Sequence, residues 1–395
     1  MHLRRAHPRL IALTLAGAIT GALAGAMACA DERVVTREPL SLPPSTCAQC
    51  HQGIVESHAR TAHALTSAPA NAASILGDFT PGRNVLQTRA ATVSFTMERR
   101  ADGFYQRARD LARDLDQSER FDIVVGSGRR GQSYIYWKNE ILYELPVSYW
   151  TAAQSWINSP GYRDGTVDFG RVITTRCLEC HATSFQAVRT DSGLRYAKEY
   201  QLGISCEKCH GDARAHVTWQ TANPGDSTAH RIVNPAKLER DRRVDVCALC
   251  HSGGRVQRTA SFTYRAGEVL EDYSVLPPDT STGPPDVHGN QVGLLRGSKC
   301  FLKSPKMSCE TCHDLHRVDR DPDALSGKCL QCHAATDHKP LRPRETVALA
   351  SCATCHMPVQ RSTSLQINTA SSQEGFSLRS HRIAVYPPDS TAGKR

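Results

Sequence analysis

The sequence has little of what normally builds a large hydrophobic core. Only 6% of its 395 residues are aromatic, it has five methionines, and its mean hydropathy is −0.41. A chain of this length with so few large apolar side chains needs another source of cohesion, such as disulfides, metals or cofactors. Beyond residue 30 the sequence also lacks an apolar run long enough to cross a bilayer.

Cysteine and histidine are abundant instead, with 16 and 17 copies. The pattern Cys-x-x-Cys-His occurs seven times and uses fourteen of the cysteines. Two thiols at this spacing lie on one side of a helical turn and can add to the two vinyl groups of one porphyrin, while the adjacent histidine reaches the iron. We therefore expect seven covalently bound c-type haems. The predicted attachment residues are Cys47, Cys50, His51, Cys177, Cys180, His181, Cys206, Cys209, His210, Cys247, Cys250, His251, Cys309, Cys312, His313, Cys329, Cys332, His333, Cys352, Cys355 and His356.

Other cysteine-based sites explain this pattern poorly. Zinc sites use Cys-x-x-Cys pairs two at a time and do not require a histidine after each pair. Iron–sulfur clusters use other spacings. A disulfide framework would explain neither the constant pair spacing nor the seven adjacent histidines.

Residues 1–30 are typical of a secretory signal peptide. Three arginines and no acid precede an apolar stretch, and small residues follow it. Cleavage after Ala30 would release a periplasmic protein, whereas lipidation of Cys29 would tether it to a membrane. Export also agrees with the chemistry, because haem is attached on the oxidising side of the membrane.

The positive net charge does not predict nucleic-acid binding. The whole chain carries +9, but the signal region contributes three arginines and no acid, which leaves 45 basic and 39 acidic residues. Seven haems would add fourteen propionates, partly offset by one positive charge per ferric iron, so the oxidised protein would be near neutral and the reduced protein negative. We expect no nucleic-acid partner, and membrane association only if Cys29 is lipidated.

The second axial ligand of each iron decides what the haem can do, since only an open or weakly held position binds a small molecule. Eight histidines remain outside the motifs and the signal region, enough to complete all seven irons. Methionine is a poor candidate for the second axial ligand, because only Met97, Met307 and Met357 lie beyond the signal region. His313 and His316 are too close in sequence to clamp one iron, so His316 should reach a neighbouring haem. We predict distal ligands at His63, His216, His230, His288, His316, His338 and His381, with His58 as the bystander.

The motifs are unevenly spaced, and the spacing divides the chain. About 125 residues without a motif follow His51, and they include apolar β-type runs at 92–96 and 121–125. Residues 132–150 alternate aromatic and β-branched side chains around a polar break, which predicts a hairpin. We expect a multihaem cytochrome c fold of mostly short α-helices and loops wrapped around stacked haems, with a small β-rich insert. The predicted segments are 1–30 (signal peptide), 31–80 (first haem segment), 81–176 (β-rich insert), 177–385 (six-haem region) and 386–395 (disordered tail).

Several local motifs resemble a known family across nearly all of the chain beyond the signal region. They are 45–51 (STCAQCH), 61–63 (TAH), 125–128 (VGSG), 134–136 (YIY), 145–148 (LPVS), 159–162 (SPGY), 203–211 (GISCEKCHG), 216–217 (HV), 232–235 (IVNP), 298–301 (SKCF), 313–316 (HDLH) and 355–358 (CHMP). The sequence is similar to exported multihaem cytochromes c related to the tetrahaem cytochrome that accepts electrons from hydroxylamine oxidoreductase.

The resemblance implies closely stacked haems, mostly with two histidine ligands. It supports His63, His216, His316 and His381 as distal ligands, and His58 stands where relatives would have a tryptophan. Relatives include both carriers and reductases, so the family leaves the reaction open.

Two functions therefore compete. The first is a periplasmic carrier between redox proteins such as cytochromes, quinol-oxidising complexes or a periplasmic oxidoreductase. The second is an oxidoreductase acting on a small nitrogen or sulfur compound at one open haem. The intact motifs and the number of spare histidines favour the carrier. Cys300 lies outside the motifs, and could be a small buried residue, a thiolate ligand or a redox thiol.

Overall fold

The computed structural model describes residues 37–190, 193–277, 289–318, 321–334, 352–368 and 373–386. Within these ranges no helix is both long and apolar enough to span a membrane. The predicted signal peptide, Cys29 and residues 387–395 of the predicted tail lie outside the described residues. The described parts contain short helices and several antiparallel sheets, so strands form more of the fold than the sequence led us to expect.

The described helices are short, four of the nine contain a whole Cys-x-x-Cys-His motif and two more contain part of one. Those in the described residues are α1 (Pro44–His58), α2 (Thr175–Glu179), α3 (Cys206–His210), α4 (Arg214–Ala222), α5 (Arg240–His251), α6 (Gln291–Arg296), α7 (Lys299–Lys303), α8 (Pro322–Cys329) and α9 (Cys352–His356). Helix α1 begins at a proline, which the first turn of a helix tolerates. It buries none of its residues and is kinked at His51. Because apolar packing stabilises most helices in proteins, α1 needs support from a group outside the polypeptide.

Two antiparallel sheets form the β-rich part. One has the order β1-β6-β7-β9-β10, with β8 also paired to β7, and the other has the order β2-β3-β4-β5. Their strands are β1 (Ser67–Pro69), β2 (Val85–Gln87), β3 (Val93–Arg100), β4 (Gly103–Asp110), β5 (Leu115–Arg120), β6 (Ile123–Val125), β7 (Gly131–Lys138), β8 (Ile141–Glu144), β9 (Val147–Trp150) and β10 (Ser155–Asn158).

The hairpin predicted within residues 132–150 is confirmed by the pairing of β7 with β8. Its turn residues Asn139 and Glu140 both have positive φ, 50° and 64°, as a type I′ connection requires. The runs at 92–96 and 121–125 also contain strands, β3 and β6.

The largest hydrophobic cluster lies between these two sheets. Alternate residues of β3 point inward, so Phe95 and Met97 are fully buried while their neighbours are partly exposed. Phe121 stacks on Tyr134 with ring centroids 4.4 Å apart, and Trp156 packs against both rings. This aromatic core gives the β-rich part stability of its own.

Three strand pairs lie outside the predicted 81–176 insert. They are β11 (Ala182–Thr190) with β12 (Gly193–Leu202), β13 (Val256–Gln257) with β14 (Ser274–Val275), and β15 (Val359–Asn368) with β16 (Gln373–Arg379). The β11–β12 hairpin buries Phe185 and Tyr196 against Ile135 and Leu142 of the six-stranded sheet, together with Leu178 of helix α2. This shared cluster fixes the second motif against the β-rich part.

Candidate haem sites

Each described motif places its cysteine pair on one helical turn. The first five-residue motif lies within α1, the second begins in α2, the third forms α3 and the fourth ends α5. The fifth begins in a 3-10 turn at Cys309–Thr311, the sixth follows from the end of α8, and the seventh forms α9. No disulfide joins any two cysteines in the described ranges. The fourteen motif thiols therefore have the helical spacing that attachment to a porphyrin requires.

The motif histidines are oriented through their Nδ1 atoms. Nδ1 of His210 lies 2.8 Å from the carbonyl oxygen of Val233, and Nδ1 of His356 lies 2.9 Å from that of Ala384. A carbonyl can only accept, so Nδ1 carries the proton and Nε2 keeps its lone pair. Holding the far ring nitrogen in this way is how proteins orient metal-binding histidines. Nδ1 of His181 lies 2.9 Å from the Thr66 hydroxyl, which can donate or accept and therefore does not fix the tautomer.

Three motif histidines face a histidine from a distant part of the chain. Ring centroids are 6.1 Å apart for His63 and His251, 6.0 Å for His210 and His316, and 6.3 Å for His313 and His381. With each imidazole nitrogen about 2 Å from a metal, rings on opposite faces of one ion have centroids about 6 Å apart. The three pairs therefore have the separation of axial ligands to one iron.

His381, a predicted distal ligand, is in a state suited to coordination. Burial, and then the neighbouring His313, lower the pKa of His381 to about 4. The ring is therefore neutral at physiological pH, which is the form that binds metals.

His58, expected to be a bystander, lies among these histidines. Its ring centroid is 6.5 Å from that of His316. Burial first, and then His63, His316 and His210, lower its pKa to about 4. The sequence spacing already suggested that His58 could lie on the same side as a motif histidine, because it follows His51 by seven residues, which is two turns of a helix.

The remaining predicted distal ligands differ in their surroundings. Nδ1 of His216 lies 2.8 Å from the backbone oxygen of His230. The His230 ring packs 5.0 Å from Trp219, and its Nε2 lies 2.9 Å from Asp226. His288 and His338 lie outside the described residues.

Thiols of different motifs lie side by side at four places. The Cys250 thiol hydrogen-bonds to Cys180 and lowers the pKa of that group. Burial, with Cys47 beside it, raises the pKa of Cys206 to about 12. The neighbouring pairs are Cys47 with Cys206, Cys180 with Cys250, Cys247 with Cys309, and Cys329 with Cys352. These thiols would hold haem through thioether bonds, and each neighbouring pair belongs to two different motifs.

Two further observations fit a bulky anionic group at these sites. The Nε1 atom of Trp219 and the hydroxyl of Tyr264 are buried donors without a partner in the described part of the chain. Buried donors of this kind normally have an acceptor, and a haem propionate would supply one. A cavity of about 930 Å³ also opens beside the first motif, where Cys50, His51 and His316 line it. The residues present therefore fit covalently bound haem.

Cys300 lies on α7, close to two motif thiols. Burial, and then the neighbouring Cys300, raise the pKa of Cys312. Cys300 also contributes to the raised pKa of Cys329, of which burial is the main cause. Its predicted roles, as a packing residue, an iron ligand or a redox thiol, stay predictions.

Comparison with known proteins gives one family model and three relatives. The model, described as cytochrome c554 and c-prime, matches residues 155–211, which hold the second and third motifs. The C-type polyheme cytochrome OmcC of Geobacter sulfurreducens is 26% identical over 241 residues, 57% of this chain. The chain spans only about a quarter of that relative, since the match covers 26% of it.

Two solved structures match the chain, one of them with a TM-score above 0.5. The crystal structure of outer cell wall cytochrome OcwA matches with a TM-score of 0.53 at 14% identity, covering 88% of this chain and 80% of that one. An undecaheme cytochrome from the S-layer of Carboxydothermus ferrireducens gives a TM-score of 0.42 at 15% identity, covering 82% and 52%.

Proposed function

We propose that this chain is a multihaem c-type cytochrome that carries seven haems and passes electrons between redox partners, which its similarity to proteins of that kind supports. The number follows from the seven intact Cys-x-x-Cys-His motifs. The proposed location is the periplasm, because residues 1–30 have the pattern of a signal peptide. We also propose that the chain is distantly related to the tetrahaem cytochrome that accepts electrons from hydroxylamine oxidoreductase. The match of the cytochrome c554 and c-prime model to residues 155–211 supports this relationship.

The observation that carries this proposal is the contact between attachment thiols. The first motif meets the third, the second meets the fourth, the fourth meets the fifth, and the sixth meets the seventh. Cys209 also influences Cys247, and Cys332 influences Cys312, which links the third motif to the fourth and the fifth to the sixth. The proposed path therefore runs 1–3–4–5–6–7, with the second haem attached as a branch at the fourth.

The histidine pairs favour a carrier over a catalyst. In the proposed ligation His63 completes the iron of the fourth motif, His316 that of the third and His381 that of the fifth. An iron with two histidine ligands exchanges electrons but has no position for a substrate. Each proposed bond also joins segments far apart in the chain, which would supply the cohesion that the sparse apolar core lacks.

The expected partners are other redox proteins: cytochromes, quinol-oxidising complexes or a periplasmic oxidoreductase. The protein would be soluble in the periplasm after cleavage at Ala30, or tethered if Cys29 is lipidated. Palmitate labelling of wild type and Cys29→Ala in the expressing cells would distinguish the two, since only a lipidated Cys29 gives label that the variant loses.

Intact-mass measurement combined with electron paramagnetic resonance tests the proposal. We expect a mass increase of seven haems and low-spin ferric signals that cyanide leaves unchanged. A mass well short of seven haems would contradict the haem count. A high-spin signal that responds to cyanide would instead favour the alternative function, reduction or oxidation of a small nitrogen or sulfur compound at an open haem.

A further inference from the structure

His381, the proposed distal ligand of the fifth motif's iron, lies in residues 380–386, which form neither helix nor strand. Nδ1 of its ring is buried and has no hydrogen-bond partner in the described part of the chain, although the backbone of Arg379 lies near it. Proteins normally orient a metal-binding histidine through an acceptor at this atom, as happens at His210. The orientation of the His381 ring must therefore be set through the backbone that carries it.

Ser298 holds the backbone of this segment at two atoms. Its hydroxyl accepts a hydrogen bond from the amide of Ile383 at 2.8 Å and donates to the carbonyl oxygen of His381 at 3.1 Å. The carbonyl oxygen of Leu294 lies 3.3 Å from the same hydroxyl, so the single proton is shared between a nearer and a more distant acceptor. Ser298 is only 1% exposed, and bulk water therefore does not compete for these bonds.

The place of Ser298 in the fold makes this bonding pattern unusual. Ser298 is the N-cap residue of helix α7, and a serine at that position normally bonds its hydroxyl to an amide of the first helical turn. Its side chain makes no such cap here. The hydroxyl bonds to the His381 segment instead, which leaves α7 without the stabilisation that a cap gives. A residue that departs from its usual local role in this way is expected at a functional site.

Helix α7 gives this contact a firm base. Its Phe301 is buried in one hydrophobic cluster with Leu249 of α5, the helix that ends in the fourth motif. Two further backbone hydrogen bonds of the segment, from the amides of Ser380 and Ala384, lead to the region of the seventh motif. Ser298 therefore ties the segment to the packed helices on the side of the fourth motif.

We propose that Ser298 is a positioning residue that sets the plane of the His381 ring at the fifth haem. The ring lies 6.3 Å from that of His313, with 37° between the two planes. The corresponding angles at the other two facing histidine pairs are 75° and 18°. Because the g values of a low-spin ferric haem depend on this angle, the three centres should give separate signals. The inference rests on the proposed ligation of the fifth haem by His313 and His381.

Electron paramagnetic resonance of Ser298→Ala tests this role, because the substitution frees the His381 carbonyl and the Ile383 amide together. We expect one low-spin ferric signal, about one seventh of the iron, to move to new g values. The reduced variant should also bind one carbon monoxide per chain, where the wild type binds none. Ser298→Thr keeps the hydroxyl and should retain the wild-type signals. Ser298→Val has nearly the shape of threonine without the hydroxyl and should behave like Ser298→Ala.

Ser159 provides a matched control. It is equally buried, and its hydroxyl donates to the carbonyl oxygen of Leu145 at 2.7 Å within the β-rich part. Ser159→Ala should lower stability without changing any haem signal. The threonine and valine variants of Ser298 decide the question if Ser298→Ala fails to fold, with haem content verified by mass.

Three results would overturn the inference. The first is unchanged g values and no carbon monoxide binding in a Ser298→Ala protein with its full haem content. The second is an equal change in Ser298→Thr and Ser298→Val, which would show that packing and not the hydroxyl is responsible. The third is entirely low-spin iron in His381→Ala, which would refute the ligation itself. Failure of the proposed carrier function would appear separately, as cyanide binding in the wild-type protein.

Discussion

Replacing His63 with alanine should leave the iron of the fourth motif without its distal ligand. The His63 ring faces His251 at 6.1 Å, and the backbone of His63 is held independently of the ring. Its carbonyl oxygen accepts hydrogen bonds from the amides of Ile204 at 2.9 Å and Thr66 at 3.2 Å. The substitution should therefore remove the imidazole without moving the chain around it.

The size of the effect follows from the proposed ligation. One iron of the seven loses a ligand, so about one seventh of the total iron should change from low spin to high spin. The bond also joins residues 188 positions apart. A cross-link of that span contributes at most about 5 kcal/mol by loop-closure entropy, and the other haem links between the same segments reduce this. We expect a clear fall in the thermal unfolding temperature.

Electron paramagnetic resonance and cyanide titration measure the change directly. His63→Ala should show one new high-spin ferric centre that binds one cyanide per chain. His63→Met should stay low spin but titrate at a higher potential, since a methionine ligand raises the potential of a haem. A His63→Ala protein with seven haems and entirely low-spin iron would refute the assignment of this ligand.

Three other substitutions test the surroundings of the sites. Arg171→Met removes the ion-pair partner, 3.1 Å away, of Glu144, whose pKa burial already raises. A raised carboxyl pKa lowers stability as pH rises through its ordinary value, so the loss in urea unfolding should be about 1–3 kcal/mol larger at pH 7 than at pH 4. Part of the loss should remain at pH 4, because Arg171 also donates to the carbonyl of Pro160 at 2.8 Å and packs on the ring of Tyr162. Glu144→Gln in the same chain should remove the pH-dependent part. Gly203→Ala should lower stability by about 2 kcal/mol or more in the same assay, because φ is +69° and the new Cβ would lie 2.3 Å from a backbone oxygen. Gly193→Ala, with φ +114° but open space around it, should cost clearly less, and equal losses would contradict the steric argument. Trp219→Phe keeps an aromatic ring but removes the buried Nε1 donor. If this donor bonds a haem propionate, a redox titration should show the reduction potential of one haem falling when the hydrogen bond is lost. Unchanged potentials would show that the Trp219 donor does not bond a propionate.

Local patterns in the sequence predicted the parts that depend on short-range geometry. The Cys-x-x-Cys-His motifs suit helical turns, because two cysteines three residues apart lie on the same side of one turn. The hairpin β7–β8 followed from alternation around a polar break, with Asn139 and Glu140 able to adopt positive φ. These features need no knowledge of the rest of the chain.

Long-range features were less predictable from the sequence. Nothing near His63 indicates that it faces His251, because that contact depends on how two distant segments pack. The hairpin β11–β12 was missed because its apolar residues, such as Phe185 and Tyr196, are separated by charged ones that resemble a loop. His58 was set aside by counting, and counting cannot show that its half-buried ring lies 6.5 Å from that of His316.

Helix α1 has a consequence for how the protein is made. It exposes or half-exposes every one of its fifteen residues, so the polypeptide alone offers little reason for it to form. The β-rich part has its own hydrophobic core, with Phe95, Met97 and Tyr134 fully buried, and does not need haem in order to fold. Newly made chains should therefore become half-structured first, and complete maturation would depend on the haem supply. Cells starved of iron would accumulate a protein whose first segment is open to proteases while its β-rich part resists them.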